Sequence, residues 1–310
     1  MNESAKPVIA AIEAGGTKVQ VAVGTDWDPS AYRTIQTTND PIETMAQILA
    51  AIDECASGSV IDGIGIASFG PIDVNPQSNQ YGVIGVTPKT GWQGFDHRGF
   101  FDSQFEAPVL IDSDVNAAAL AEYHMGNHAT DGGLAYATIG TGIGVGIVSA
   151  GSVRNGSRHP EIGHVPLRRH PNDSAFTSVC PFHPDCAEGL ASGPAVVARW
   201  GHTLSELLDS SSHRDDVLDV MGDYLSQIAM SILLHHQPST IVLGGGVMER
   251  AELLTATRRV LKRQLGGYFP DLDNDTAIEQ LLVPPTLAPV SGAAGAFLLG
   301  LQAAANGRIS

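Results

Sequence analysis

Two aspartates flank a serine in Asp112-Ser113-Asp114, just after the apolar run Val109–Ile111 and just before an alanine-rich stretch. In an open α/β sheet, a carboxylate between a strand's C-terminal end and a helix start lies where ligands bind. There it can accept a proton from an attacking hydroxyl. Capping the helix is the competing role for these acids. One cap needs only one carboxylate, so at least one of Asp112 and Asp114 is left for chemistry.

A second constellation lies further along the chain. Glu161-Ile-Gly-His164 precedes Cys180-Pro-Phe-His183-Pro-Asp-Cys186. The Cys-x₂-His-x₂-Cys spacing gathers three metal donors, and His164 is a candidate fourth. His159, His170 and His202 are also near in sequence. A Cys₂His₂ set is a closed tetrahedral zinc site, so the metal would be structural rather than a Lewis acid. The surrounding stretch from Ser157 to Pro184 is polar, proline-rich and without apolar periodicity. A metal clip would give it a fixed shape. It would also bring Glu161 and Glu188 into one pocket, and carboxylates that accept pairs of hydroxyl hydrogen bonds suit a sugar. Glu188 alone also fits the role of an acid at a helix N-terminus.

Three apolar strands run into glycine-rich turns: Val8–Lys18, Leu134–Gly144 and Thr240–Val247. Glycines past a strand end let the backbone approach a ligand closely, and successive N–H groups there cradle anions. Thr17, Lys18, Thr138 and Thr141 add groups that hold phosphate oxygens and their metal. Three such turns point to one polyphosphate gripped from several sides. The turns match neither the P-loop spacing nor G-x-G-x-x-G.

The elements that must carry these groups alternate strand and helix, an α/β pattern. Val8–Ala14 and Lys18–Gly24 predict a hairpin closed by Gly15-Gly16, and Ala31–Thr38 a third strand. Pro41 to about Ser57 predicts a helix capped by Asn39 or Asp40. Ile61–Ala67 predicts a buried strand, and Pro71–Gly94 an ordered loop. Leu134–Ile139 and Gly144–Ala150 repeat the opening hairpin. Asp215–His236, Glu249–Leu265 and Ser291–Ala305 predict helices. The 310 residues suffice for two domains. A net charge of −16 with no basic run argues against a nucleic-acid partner. No signal peptide and no uncharged apolar run of about 18 residues is present, so neither a membrane partner nor export is expected. Three cysteines fit a reducing cytoplasm.

Together these motifs resemble the ROK family of sugar kinases, within the actin/hexokinase/Hsp70-like ATPase superfamily. Glu13-Ala-Gly15-Gly16-Thr17-Lys18 resembles the family's first phosphate loop, and Thr138–Gly144, with Gly140, Thr141 and Gly142, its second. Asp114-Val-Asn-Ala-Ala is similar to the segment carrying its general base. Glu161-x-Gly-His164 with the Cys/His cluster resembles its sugar and zinc signature. Gly244-Gly245-Gly246-Val247 resembles its adenosine motif. Glu13 in place of the usual Asp, Phe69-Gly70-Pro71, Thr87-Pro88-Lys89, Gly91-Trp92 and His159-Pro160-Glu161 are similar to the fructokinase branch. Ser113 stands where glucose-phosphorylating members often carry Asn.

The resemblance implies two actin-like (ribonuclease H-like) domains of related topology flanking a nucleotide/sugar cleft. Residues 1–116 with a C-terminal helix at 293–310 would form the small domain, and 117–292 the larger one. It implies transfer of the γ-phosphoryl group of ATP to the 6-hydroxyl of D-fructose, with Asp114 as general base. Gly70, Pro71, Asp114, Glu161, His164 and Glu188 would meet the sugar. Mg²⁺ would sit near Glu13, and structural Zn²⁺ on His164, Cys180, His183 and Cys186. Mannose, glucose or an N-acylhexosamine are alternative substrates. A sugar-sensing regulator would carry an N-terminal helix-turn-helix, for which the strand starting at Val8 leaves no room. A non-sugar ATPase would not need the Glu161/His164 and zinc cluster. The family suggests a homodimer.

Overall fold

The computed structural model describes residues 6–87, 89–209 and 213–307. Pro88 of the Thr87–Lys89 stretch and residues 308–310 of the expected C-terminal helix lie outside them. The elements begin with β1 (Ile9–Ala14), β2 (Lys18–Gly24), β3 (Arg33–Gln36), α1 (Pro41–Ala56), β4 (Gly63–Ser68), α2 (His97–Gln104), β5 (Val109–Ser113) and α3 (Asp114–His124). They continue with β6 (Leu134–Ile139), β7 (Ile143–Ser149), β8 (Ser152–Val153), α4 (Ala187–Ala191), α5 (Gly193–Trp200), α6 (Leu204–Asp209) and α7 (Arg214–His236). The last are β9 (Thr240–Gly244), α8 (Ala251–Leu265), α9 (Asp275–Leu281), β10 (Leu282–Val283) and α10 (Ser291–Gly307).

The chain forms two compact units: Met1–Met125 with Asn155–His159 and Pro289–Ser310, and Gly126–Arg154 with Pro160–Ala288. Each holds one five-stranded sheet. The orders are β3-β2-β1-β4-β5 and β8-β7-β6-β9-β10. In both, an antiparallel trio is extended by two parallel strands. The repeat read from the two hairpins therefore extends to whole sheets, and the α/β, actin-like plan is present twice.

Local chemistry explains the first unit's edges. Asp40 caps α1 by accepting from the N–H groups of Ile42 and Glu43, with Pro41 in the first turn, and Ser57 closes it in the left-handed region. β4 is buried along its whole length, as a central parallel strand should be. β5 is the sheet edge, and the Tyr81 hydroxyl serves it twice. It donates to Ile111 O at 2.9 Å and accepts from Ile111 N at 3.1 Å.

Residues 71–87 and 89–94 are an ordered loop. Trp92 is fully buried, packed edge-on against Phe69, Phe95 and His97, and its indole N–H donates to Thr38 O. α10 lies against β4 and α3 so closely that a Cβ on Gly65 would overlap the backbone of Ala296 and Gly300. α3 falls whole within the first unit.

The second unit's core gathers α7, α8 and the inner faces of its sheet. α7 is long and apolar enough to cross a membrane by composition, but 67% of its most apolar stretch is buried in this core.

Candidate active site and metal centre

β1, β4 and β5 run parallel, so their C-terminal ends and the turns beyond them lie at one end of the first sheet. That end collects the Gly15–Thr17 turn, Phe69-Gly70-Pro71 and Asp112–Asp114. The Phe69 N–H donates to Ala14 O at 2.8 Å, which ties the second of these to the first. Gly15 N–H donates to Lys18 O at 2.9 Å and closes the turn. Among the described residues, nothing beyond its two chain neighbours lies within 4 Å of a Cβ placed on Gly16, so the fold leaves that position open. Thr17 and Lys18 are exposed.

Glu13, on β1, is enclosed by the first turn of α10. A Cβ at Gly292 would overlap its carboxylate, and the Ala293 N–H donates to it. Burial, with the Asp114 charge adding to it, pushes Glu13 up to about 7, against the pull of Lys18. Its Oε2 is buried and has no hydrogen-bond partner among the described residues. A hydrated divalent cation fits such an orphaned carboxylate oxygen.

The cap of α3 is Ser113, whose Oγ accepts from Asn116 N at 3.2 Å. Neither aspartate is consumed as a cap. Asp112 is nearly sealed and accepts from Ser113 N and Asn116 Nδ2, both at 2.7 Å. Asp114 is half-buried and accepts only from the neighbouring backbone, Val115 N at 2.7 Å and its own N–H. Burial pushes both carboxyls up to about 6. Asp112 is committed to its amide partners, whereas Asp114 keeps side-chain capacity free for a substrate.

In the second unit β6 and β9 are parallel neighbours, so the second and third glycine turns share one sheet end. Gly140 N–H donates to Gly142 O at 2.9 Å, and the first N–H of α5, at Gly193, donates to Gly140 O at 2.7 Å. Gly140 and Gly246, like Gly16, have nothing among the described residues beyond their chain neighbours within 4 Å of a Cβ. Gly245 differs: its φ of 90° and its contact with the Ile139 backbone admit no side chain. Val247 is buried in the turn that leads toward α8. Thr138 is half-buried and Thr141 exposed at the same end.

Glu188 joins this end to the metal donors. Its Oε2 accepts from Ile143 N at 3.0 Å, just after the second turn, and its Oε1 lies 4.0 Å from His164 Nε2. His164 stands in a short 3₁₀ turn, Ile162–His164, whose Gly163 rests on the Ile143 carbonyl. Burial raises the Glu161 pKa, His164 lowers it and Glu188 raises it, so these three groups act on one another.

One donor atom each from His164, Cys180, His183 and Cys186 lies within 4.8 Å of the others. Cys186 Sγ is 3.6 Å from His164 Nδ1, and Cys180 Sγ is 3.7 Å from His183 Nδ1. Zinc–sulfur bonds of about 2.3 Å and zinc–nitrogen bonds of about 2.0 Å, arranged tetrahedrally, span roughly 3.5 Å between donors. The four residues fit zinc with no open coordination position. His164 would bind through Nδ1 and leave Nε2 toward Glu188. The other nearby histidines are engaged elsewhere: His170 with Asp219 at 3.3 Å, His202 with Glu206 at 3.9 Å, and His159 with Ser113 at 3.4 Å.

Spacing carried no sign of two further participants at the first site. Asn116 and Asn155 donate to Asp112, at 2.7 and 3.5 Å. The metal loop is also braced without metal. Arg199 pairs with buried Asp173 at 2.8 Å, Tyr224 donates to the same carboxylate at 2.6 Å, and Arg169 pairs with Asp185 at 2.6 Å. The segment expected to depend on a metal clip thus has a buried polar frame as well.

Residues 9–303 match the ROK family model. The chain belongs to the ROK family. It is 39% identical over 301 residues to a fructokinase of Pediococcus pentosaceus, covering 96% of this chain and 99% of that one. Among solved structures it is similar to a ROK hexokinase from Thermus thermophilus (TM-score 0.75, 24% identity, 95% and 98% coverage). It is also similar to a ROK family glucokinase from Streptomyces griseus in complex with glucose and AMPPNP (TM-score 0.73, 21% identity, 95% and 99% coverage). These two establish the shared fold.

Proposed function

We propose that this ROK protein is an ATP-dependent kinase that phosphorylates the 6-hydroxyl of D-fructose. Kinase action on a hexose follows from family membership together with 39% identity to a fructokinase along nearly the whole length of both chains. The choice of fructose rests on that relative. The observation that carries the chemistry is Asp114. It is a half-buried carboxylate beside Glu13, free of capping duty, with a proton affinity raised toward neutrality.

In the proposed step Asp114 takes the proton of the 6-hydroxyl as that oxygen bonds to the γ-phosphorus. The bond from phosphorus to the bridging oxygen breaks, and its electron pair leaves with ADP. The products are hexose 6-phosphate, ADP and a proton. Phosphoryl transfer asks the protein mainly for positioning and charge stabilisation. Gly15, Gly16, Thr17 and Lys18, with Thr138 and Gly140–Gly142, would hold phosphates by backbone N–H groups, hydroxyls and one ammonium. Gly244–Val247 would line the adenosine side. Glu161, His164, Glu188, Gly70 and Pro71 would hold the sugar. Mg²⁺, near Glu13, supplies charge neutralisation of the phosphates when bound. Zinc on its four donors would fix the sugar loop and take no part in the chemistry.

A hexose panel with ATP, read by ADP release and by identification of the phosphorylated product, tests this reading. Fructose 6-phosphate as the main product is expected. Equal ADP release with and without sugar, and no sugar phosphate, would overturn it.

A further inference from the structure

Asn155–His159 is a five-residue strap that belongs to the first unit although both of its sequence neighbours belong to the second. It is pinned at both ends to the junction of β5 and α3. Asn155 Oδ1 accepts from Asn116 Nδ2 at 3.0 Å, and Asn155 Nδ2 reaches Asp112 Oδ2 at 3.5 Å. At the other end His159 Nδ1 lies 3.4 Å from Ser113 Oγ. The next residue along the chain is Asp114, so the strap holds an imidazole on the residue that precedes the proton acceptor.

The contact with Ser113 bears on that imidazole's tautomer. Ser113 Oγ accepts from Asn116 N–H and keeps one lone pair and its own proton; when that proton is donated to His159 Nδ1, the imidazole is the acceptor. The ring is half-buried and burial holds it neutral, down to about 4. A neutral ring with Nδ1 accepting carries its proton on Nε2. Among the described residues Nε2 has no partner, and it is not among the sealed, unsatisfied atoms. In that arrangement Nε2–H is an accessible donor on a strap anchored to Asn116, Asp112 and Ser113. His159 has no role in the phosphate, metal or capping chemistry above.

We propose that His159 is a substrate-binding residue: it donates Nε2–H to an oxygen of the sugar beside the hydroxyl that Asp114 deprotonates. Ser113 is its positioning residue, donating its hydroxyl proton to Nδ1. The inference rests on the hexose-kinase reading and adds a sugar contact contributed by the strap. A donor suits a hydroxyl or ring oxygen, both acceptors, and complements Asp114, which as a carboxylate only accepts.

The test uses the full chain and three proteins: wild type, His159→Phe and His159→Gln. Gln can present an amide N–H near the position of Nε2, whereas Phe keeps the ring volume without a donor. His159→Phe is expected to raise KM for the sugar about tenfold, with KM for ATP and the thermal midpoint unchanged. His159→Gln is expected to recover most of that loss. ¹⁵N correlation spectra of the wild type should show the Nε2–H tautomer, with the Nε2 resonance shifting as fructose is added. An Nδ1–H tautomer, or a sugar KM unchanged in His159→Phe, overturns the proposal while leaving the kinase reading intact. A wild type that phosphorylates no hexose removes both.

Discussion

At the residue scale the decisive distinction is between two aspartates of one tripeptide. Asp112 spends its oxygens on Asn116, Asn155 and Ser113, whereas Asp114 accepts only backbone N–H groups. The sequence showed that two carboxylates exceed the need of one cap. It did not show that Ser113 takes the cap and frees both, because that depends on a side-chain rotamer at the strand end. Asp114→Asn should lower kcat by about 10²–10⁴ with nucleotide affinity unchanged. In the wild type, kcat/KM should hold above pH 6 and fall about tenfold per pH unit below it, because the base must be ionised. The stability effect has the opposite sense. The folded-state pKa, about 6, lies above the ordinary 3.8, so the ionised group opposes folding above pH 6. Asn at 114 should therefore add roughly 2 kcal/mol at pH 7.5. The gain should shrink as pH falls and vanish below about pH 4. Activity profiles and pH-dependent thermal unfolding of the two proteins check both. An unchanged kcat would remove Asp114 from the chemistry.

At the scale of elements, legibility followed pattern length. The hairpins were readable because a glycine turn between two β-branched runs is a local signal, and α7 and α8 because they span many helical periods. α6, α9, β8 and β10 are too short to establish a period, and their existence depends on what they pack against. The metal loop was half legible. Its four donors stand out by residue type and come together in space, whereas the Arg199–Asp173–Tyr224 brace joins residues 26 and 51 positions apart with no spacing rule. That brace sharpens the consequence of losing the metal. With Asp173 and Asp185 still paired, Cys180→Ser or chelation should leave the second unit folded and displace mainly His164 and its neighbours Glu161 and Glu188. Affinity for the sugar should drop by about tenfold or more while ATP affinity holds. Calorimetric titration of both ligands, with zinc content measured on the same samples, provides the check. Sugar binding that survives verified zinc removal would rule out a role for the clip in shaping the sugar site.

Over the whole molecule, one sheet order occurs twice, and the first unit is completed by a helix from the far end of the chain. The sequence marked Ser291–Ala305 as a packing helix by its small, apolar composition. Its partner was not readable, since Gly65 and Gly300 announce close approach only when β4 and α10 are known to meet. This separates two classes of glycine that look alike in the sequence. At Gly65 a Cβ would overlap the α10 backbone, so the fold requires glycine there. At Gly16 a Cβ would meet nothing within 4 Å, so any demand for glycine must come from a ligand. Gly65→Ala should destabilise the first unit by about 3 kcal/mol or more, so that the protein unfolds earlier and in two steps as the second unit outlasts the first. Gly16→Ala should leave thermal unfolding within about 0.5 kcal/mol of wild type and raise KM for ATP about tenfold, since a methyl group would stand where phosphate oxygens approach. Differential scanning calorimetry and ATP titrations on the two variants separate the classes. A Gly16→Ala protein with normal ATP kinetics would mean that the first turn does not hold the nucleotide, whatever its resemblance to a phosphate loop.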